Sequence, residues 1–93
     1  MVRVAITGMG VISAIGLNAA DFWSALVAGR SGIGPIESVD RDKLRFKNAA
    51  EVRGFDPLAH FEEKQIDFID RFAQFLVVAA REASRDAGIE WTD

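Results

Sequence analysis

Ninety-three residues suffice for one small domain and are too few for a large enzyme. Apolar residues make up 49% and charged residues 27%, an ordinary globular balance, and the net charge of -3 argues against the clustered basic footprint of a nucleic-acid binder. With no cysteine, the chain has no disulfide framework, no thiolate metal site and no cysteine nucleophile, a usage compatible with the cytoplasm.

No charged stretch precedes an apolar core with a small-residue cleavage site, so no signal peptide is read. The longest strongly apolar run, residues 75–80, is far too short to span a bilayer.

Residues 2–7 contain Val2, Val4 and Ile6 with little alternation, which predicts an interior parallel strand covered on both faces. Arg3 is the exception and is placed at the start of that strand. A lone strand of this kind cannot satisfy its backbone groups without neighbours. The expectation is therefore a segment of something larger, or a chain that needs partners to fold.

A glycine turn follows, with Gly8, Gly10 and Gly16 around Ser13. Asn18 is placed as an N-cap, with Asp21 three residues later in a box-like arrangement. Ala19, Phe22, Trp23 and Leu26 recur on one face of a helix over residues 19–28, and Gly29 is its stop. Residues 30–42 read as a loop. Phe46, Ala50 and Val52 suggest a weak edge strand within residues 44–52. Pro57 suits the first position of a short helical turn after Asp56, and residues 62–67 suggest one more turn.

The clearest helix is predicted over residues 69–87. Ile69, Phe72, Ala73, Leu76, Ala79, Ala80, Ala83 and Ala87 fall at helical spacing, and the small alanines on that stripe permit close approach of another element. Phe75, Val77 and Val78 widen the apolar face until the middle of the helix reads as buried nearly all round. Arg81, Glu82, Arg85 and Asp86 return it to water. Gly88 supplies a left-handed cap, with Ile89 placed to touch the last turn.

The glycine turn admits three readings. A dinucleotide site is suggested by Gly8-x-Gly10, but Ser13 stands where the third glycine belongs, and no second strand ends in an acid that could hold a ribose. A purely structural turn would let the helix over 19–28 pack on the strand. The third reading is a resemblance. Ile6-Thr7-Gly8-Met9-Gly10-Val11-Ile12-Ser13, then Gly16, Phe22-Trp23, Leu26 and Gly29-Arg30-Ser31-Gly32-Ile33, closely resemble the amino-terminal segment of the β-ketoacyl–acyl-carrier-protein synthases. Asp70, Phe72, Ala79, Ala83 and Asp86-Ala87-Gly88-Ile89 are similar to the helix that follows in that family. The likeness covers nearly all of the chain and is loosest between Val39 and Phe61.

The resemblance implies an α/β chain that is part of the amino-terminal half of a thiolase-like, five-layer αβαβα fold. Residues 1–93 would be an incomplete amino-terminal segment of a ketoacyl synthase domain, with 2–7 as its central first strand and 69–87 as a major packing helix. The implied reaction is a decarboxylative Claisen condensation of an acyl thioester with malonyl–carrier protein, in fatty-acid or polyketide synthesis. A cysteine carries the acyl chain and two histidines assist. No catalytic position carries over, because there is no cysteine and His60 falls well before the family's histidines. The isolated residues are therefore expected to be inactive.

The implied partners are the acyl carrier protein, acyl and malonyl thioesters, and a second subunit in a cytoplasmic homodimer. The implied cofactor is none, since phosphopantetheine is carried by the partner. One contact residue carries over: Lys64 matches a basic position that helps dock the acidic carrier protein. Asp67 and Phe68 stand where elongating relatives have basic residues, so a solvated surface lysine is an equal reading of Lys64. Ser13 has a bland reading as a backbone partner in its turn, His60 as a surface or turn residue, and Trp23 and the helical phenylalanines as core. Two rivals to an active synthase stay open. One is a degenerate chain-length partner lacking the active cysteine, and the other is a small interaction module that folds alone.

Overall fold

The structure is a computed structural model, and it describes residues 1–91. Its first helix, α1, runs over Ala19–Val27. Asn18 caps it as expected: its side-chain oxygen accepts from the Asp21 N–H at 2.8 Å, and its amide donates to the Asp21 carboxylate at 3.1 Å. Gly29 takes φ 70° and ends the helix, with its N–H donating to the Leu26 carbonyl and the Arg30 N–H to the Ala25 carbonyl. Those two bonds satisfy carbonyls that the helix leaves open.

The loop after α1 contains β1, Gly34–Pro35, which pairs antiparallel with β2, Asn48–Ala49. Between them lies a 3-10 turn at Arg41–Lys43. The weak edge strand expected over 44–52 thus shortens to two residues. Side chains do the remaining joining. The Arg53 guanidinium donates to the carbonyls of Gly32 and Pro35, and the Glu51 carboxylate accepts from the N–H groups of Glu37 and Ser38.

A second 3-10 turn, Pro57–Ala59, begins on Asp56, whose carboxylate accepts from the Leu58 N–H. Helix α2, Glu63–Ile66, follows, and the Gln65 side chain accepts the Glu62 N–H at 2.9 Å.

Helix α3 spans Arg71–Ala87 and starts two residues later than its apolar stripe suggests. The N–H groups of Phe68 and Ile69 close the preceding turn onto Gln65 and Ile66, and Asp70 is extended at φ −63°, ψ 156°. The far end ends at Gly88, φ 71°, with the Ile89 N–H reaching the Ser84 carbonyl.

The core is small. Phe55, Phe61 and Val78 form its centre, with Ile12, Leu17, Val52, Ile66, Ile69, Phe75 and Val77 packed around them. Phe75 meets the Phe55 ring edge-on at 5.0 Å, Arg71 lies over both rings, and Arg81 lies over Phe61. Such contacts add modestly to the area these rings bury.

Three expectations need correction. Residues 2–7 form no strand: among the described residues nothing pairs with them, and Val2, Val4 and Ile6 are 85–90% exposed. The physical reason is that a parallel strand exists only beside another, and the two short strands here already pair with each other. Trp23 and Phe72, read as core, are more than half exposed, and Leu26, on the apolar face of α1, is half exposed. Helix α3 is not buried all round either. Gln74 and Val78 face inward, while Phe72 and Leu76 form an uncovered stripe.

Area puts a scale on this. The accessible surface is 7637 Å², against about 5300 Å² for a compact monomer of this mass. The radius of gyration is 16.1 Å, against about 12 Å for a closed domain of this length. Much apolar surface therefore has no cover among the described residues.

Candidate functional site

The glycine turn sits across α3, and its chemistry is settled by that contact. A Cβ on Gly8 would overlap the Ala83 carbonyl oxygen, and one on Gly10 would overlap the Ala79 carbonyl oxygen. The two glycines and the alanine stripe are thus halves of one close approach between backbones. The stripe predicted from spacing has its partner here.

Two acids on α3 lock the approach. The Met9 N–H donates to Asp86 Oδ2 at 3.0 Å, and the Val11 N–H to Glu82 Oε1 at 2.9 Å. The Glu82 carboxylate also accepts the Ala19 N–H, at 3.2 and 3.1 Å to its two oxygens. One side chain therefore ties the turn, the first residue of α1 and α3 together. Its negative charge at the positive end of α1 is favourable. Sequence reading gave Glu82 and Asp86 to solvent. Their i, i+4 spacing beside the alanine stripe was the available signal, since it places both next to whatever packs on that stripe.

This arrangement removes the dinucleotide reading. A phosphate at such a turn needs open N–H groups and a helix N-terminus facing it. Here the chain's own carboxylates hold those donors, and a second anion would be repelled. Ser13 is equally occupied. Its Oγ donates to the Gly16 carbonyl and accepts from the Ile15 N–H, both at 3.2 Å, inside the turn.

His60 is exposed, with its ring stacked on Phe55 at 5.4 Å and its carbonyl accepting from Arg81. No carboxylate is hydrogen-bonded to its ring among the described residues. Nor do three His, Asp or Glu side chains gather there in a group that could hold a metal. A polar cleft of about 470 Å³ beside the turn is lined by Ser13, Asp21, Ser24, Arg30 and Arg53, a mixed set in which Arg53 already donates to carbonyls.

Lys64 lies exposed on α2, in a shallow cleft shared with Glu62, Glu63 and Asp67. The structure brings it together with acids and with no second basic side chain in that cleft.

Residues 1–93 match the family model described as the β-ketoacyl synthase, N-terminal domain. The chain belongs to the β-ketoacyl synthase family. It is 46% identical over 88 residues to a 3-oxoacyl-[acyl-carrier-protein] synthase 2 of Coxiella burnetii, covering 95% of this chain and 21% of that protein. It is 43% identical over 91 residues to a protein of Streptomyces halstedii named as a polyketide beta-ketoacyl synthase, covering 97% of this chain and 21% of that one. Among solved structures, the ishigamide ketosynthase/chain length factor superimposes with a TM-score of 0.81 at 39% identity, covering 91% of this chain and 21% of its own. The chain thus spans about a fifth of the length of these relatives. At that identity the superposition gives the matched 91% of this chain the fold of the corresponding part of that ketosynthase/chain length factor chain.

Proposed function

We propose that residues 1–93 are the amino-terminal segment of a β-ketoacyl synthase domain, and that the protein built on it joins acyl thioesters to malonyl thioesters held on an acyl carrier protein. The match of the family model to the whole chain carries this reading. In that reaction the acyl group sits as a thioester on a cysteine. Malonyl decarboxylates, releasing carbon dioxide and leaving a carbanion alpha to its own thioester. The carbanion forms the new carbon–carbon bond at the acyl carbonyl, and the cysteine thiolate leaves. The residues in hand supply no nucleophile, because the sequence has no cysteine.

Their part is scaffold. The turn held on α3 by Glu82 fixes where residues 2–7 end, so that they can lie in the sheet of a five-layer thiolase-like core. The bare apolar surface along residues 2–7 and along Phe72 and Leu76 supports this, since layers of that kind need cover on both sides. The protein works as a homodimer in the cytoplasm, with phosphopantetheine supplied by its carrier partner and no resident cofactor. No helix among the described residues is long and apolar enough to cross a membrane. Lys64 gives the carrier protein a local contact and, set among acids, little long-range attraction.

The test is turnover by the full-length reading frame with acyl– and malonyl–carrier protein, read as β-ketoacyl product by mass spectrometry. Product from the full protein and none from residues 1–93 is expected; turnover by the isolated residues overturns the assignment. A second reading has one support, the solved relative that pairs a ketosynthase with a chain length factor. A full chain with no cysteine at the family's nucleophile position would be such a non-condensing partner.

A further inference from the structure

The strongest positive patch on this acidic chain lies away from the glycine turn and away from Lys64. Four of the chain's eleven basic residues, Arg41, Lys43, Arg45 and Lys47, fall within residues 41–47, and all four are exposed. We propose that this turn is the surface on which an acidic carrier protein first lands; the proposal rests on the reading above that a carrier protein is the partner.

The turn holds its own shape. The Leu44 N–H donates to the Arg41 carbonyl at 3.1 Å. The Lys47 ammonium reaches back to the carbonyls of Arg41 and Leu44, at 2.6 and 3.2 Å. Lys47 is thereby structural, and Arg41, Lys43 and Arg45 are the cations left to a partner. The acids beside them offset this charge only in part: Asp40 and Asp42 stand against four cations, and of those cations Arg41 shares a cleft with Glu37, Asp40 and Asp42. Asp40 accepts the Asp42 N–H as the cap of the turn. Neither Asp40 nor Asp42 is within ion-pair distance of a basic side chain; among the described residues such pairs form only on Arg53.

Phe46 and Val39 add apolar surface at 61% and 58% exposure. Cations beside an exposed aromatic suit a folded acidic protein with an apolar spot. A nucleic acid asks for cations along a run of phosphates, whereas this patch is a single turn on a chain of net charge -3. The contrast with α2 is local: at physiological salt, charge acts over about 8 Å. Lys64 is the one cation against Glu62, Glu63 and Asp67 in its cleft, whereas residues 40–47 set four cations against two acids.

The experiment compares the full-length enzyme with its R41E/K43E/R45E variant on two forms of one substrate: malonyl on carrier protein and malonyl on free pantetheine. The variant is expected to raise the KM for the carrier-bound form by about tenfold, leaving kcat and the pantetheine KM unchanged. Added salt should raise the wild-type KM toward that of the variant. The R41Q/K43Q/R45Q variant should fall between them. An unchanged carrier-bound KM overturns the proposal. So does an equal loss on both substrates, which would mark a structural role, or a loss reproduced by K64E alone.

If the wild type turns over neither substrate, the synthase reading fails. The patch is then judged by anisotropy of labelled carrier protein, with tenfold weaker binding to the charge-reversed variant expected. Tighter binding of single-stranded DNA or of phosphatidylglycerol vesicles than of carrier protein would also overturn it.

Discussion

Replacing Glu82 with alanine removes the acceptor for two backbone donors that come from different parts of the chain, Val11 and Ala19. Both sites are half-buried, so water satisfies the orphaned N–H groups only in part. A hydrogen bond to a charged group contributes about 1.5–3 kcal/mol, and partial solvation cuts that. Two such donors put the loss at about 3 kcal/mol for Glu82→Ala. Glu82→Gln keeps a neutral acceptor and should lose about 1.5 kcal/mol, because charge assistance roughly doubles such a bond. Amide hydrogen exchange in the full-length protein reads this locally. The Val11 and Ala19 amides should lose about 100-fold protection in the alanine variant and about tenfold in the glutamine variant. Unchanged protection at both amides, with an unshifted melt, would refute the clamp.

Gly10→Ala forces a methyl group against the Ala79 carbonyl oxygen. It should cost about 3 kcal/mol or more, read as a fall in melting temperature and in soluble yield, because neither backbone can give way. The Ser38 hydroxyl and the Glu37 N–H, followed by smaller contributions that include Arg53, hold the Glu51 carboxyl below its ordinary pKa of 4.5. Its support for the β1–β2 pair is therefore full above that value and is lost as pH falls through the lowered folded value. Protection of the Glu37 and Ser38 amides, relative to the intrinsic exchange rate at each pH, should fall across that acid range in the wild type and show no such step in Glu51→Gln. Phe72→Ser with Leu76→Ser should reduce binding of an apolar dye to residues 1–93, while lowering the stability of the full-length protein. A gain in stability there would mean that this stripe is uncovered in the whole molecule as well.

Local chemistry was legible in the sequence wherever the signal and its cause lie within a few residues. Asn18 and Gly29 bound α1, Pro57 opens its turn, and Gly88 ends α3, because caps depend on one side chain or one φ angle. The alanine stripe at Ala79, Ala83 and Ala87 was legible too, since only close approach calls for small residues at that spacing. What misled was long-range. Apolar residues at 2–7, and at Trp23, Leu26 and Phe72, declare a wish for burial without naming what buries them. Glu82 and Asp86 look like solvent-facing acids because their partners are main-chain N–H groups many residues away. The setting of Lys64 was half legible: its acidic neighbours are in the sequence, and the cleft that gathers them is not.

The Glu82 clamp has a consequence for synthesis. Val11 and its acceptor are 71 residues apart, and contacts of such separation close slowly. On the ribosome the apolar residues 2–7 emerge long before the helix that steadies the turn after them has been made. Through that interval the nascent chain offers bare valine and isoleucine to anything nearby, so a chaperone that shields residues 2–7 until α3 has formed should raise the yield of native protein.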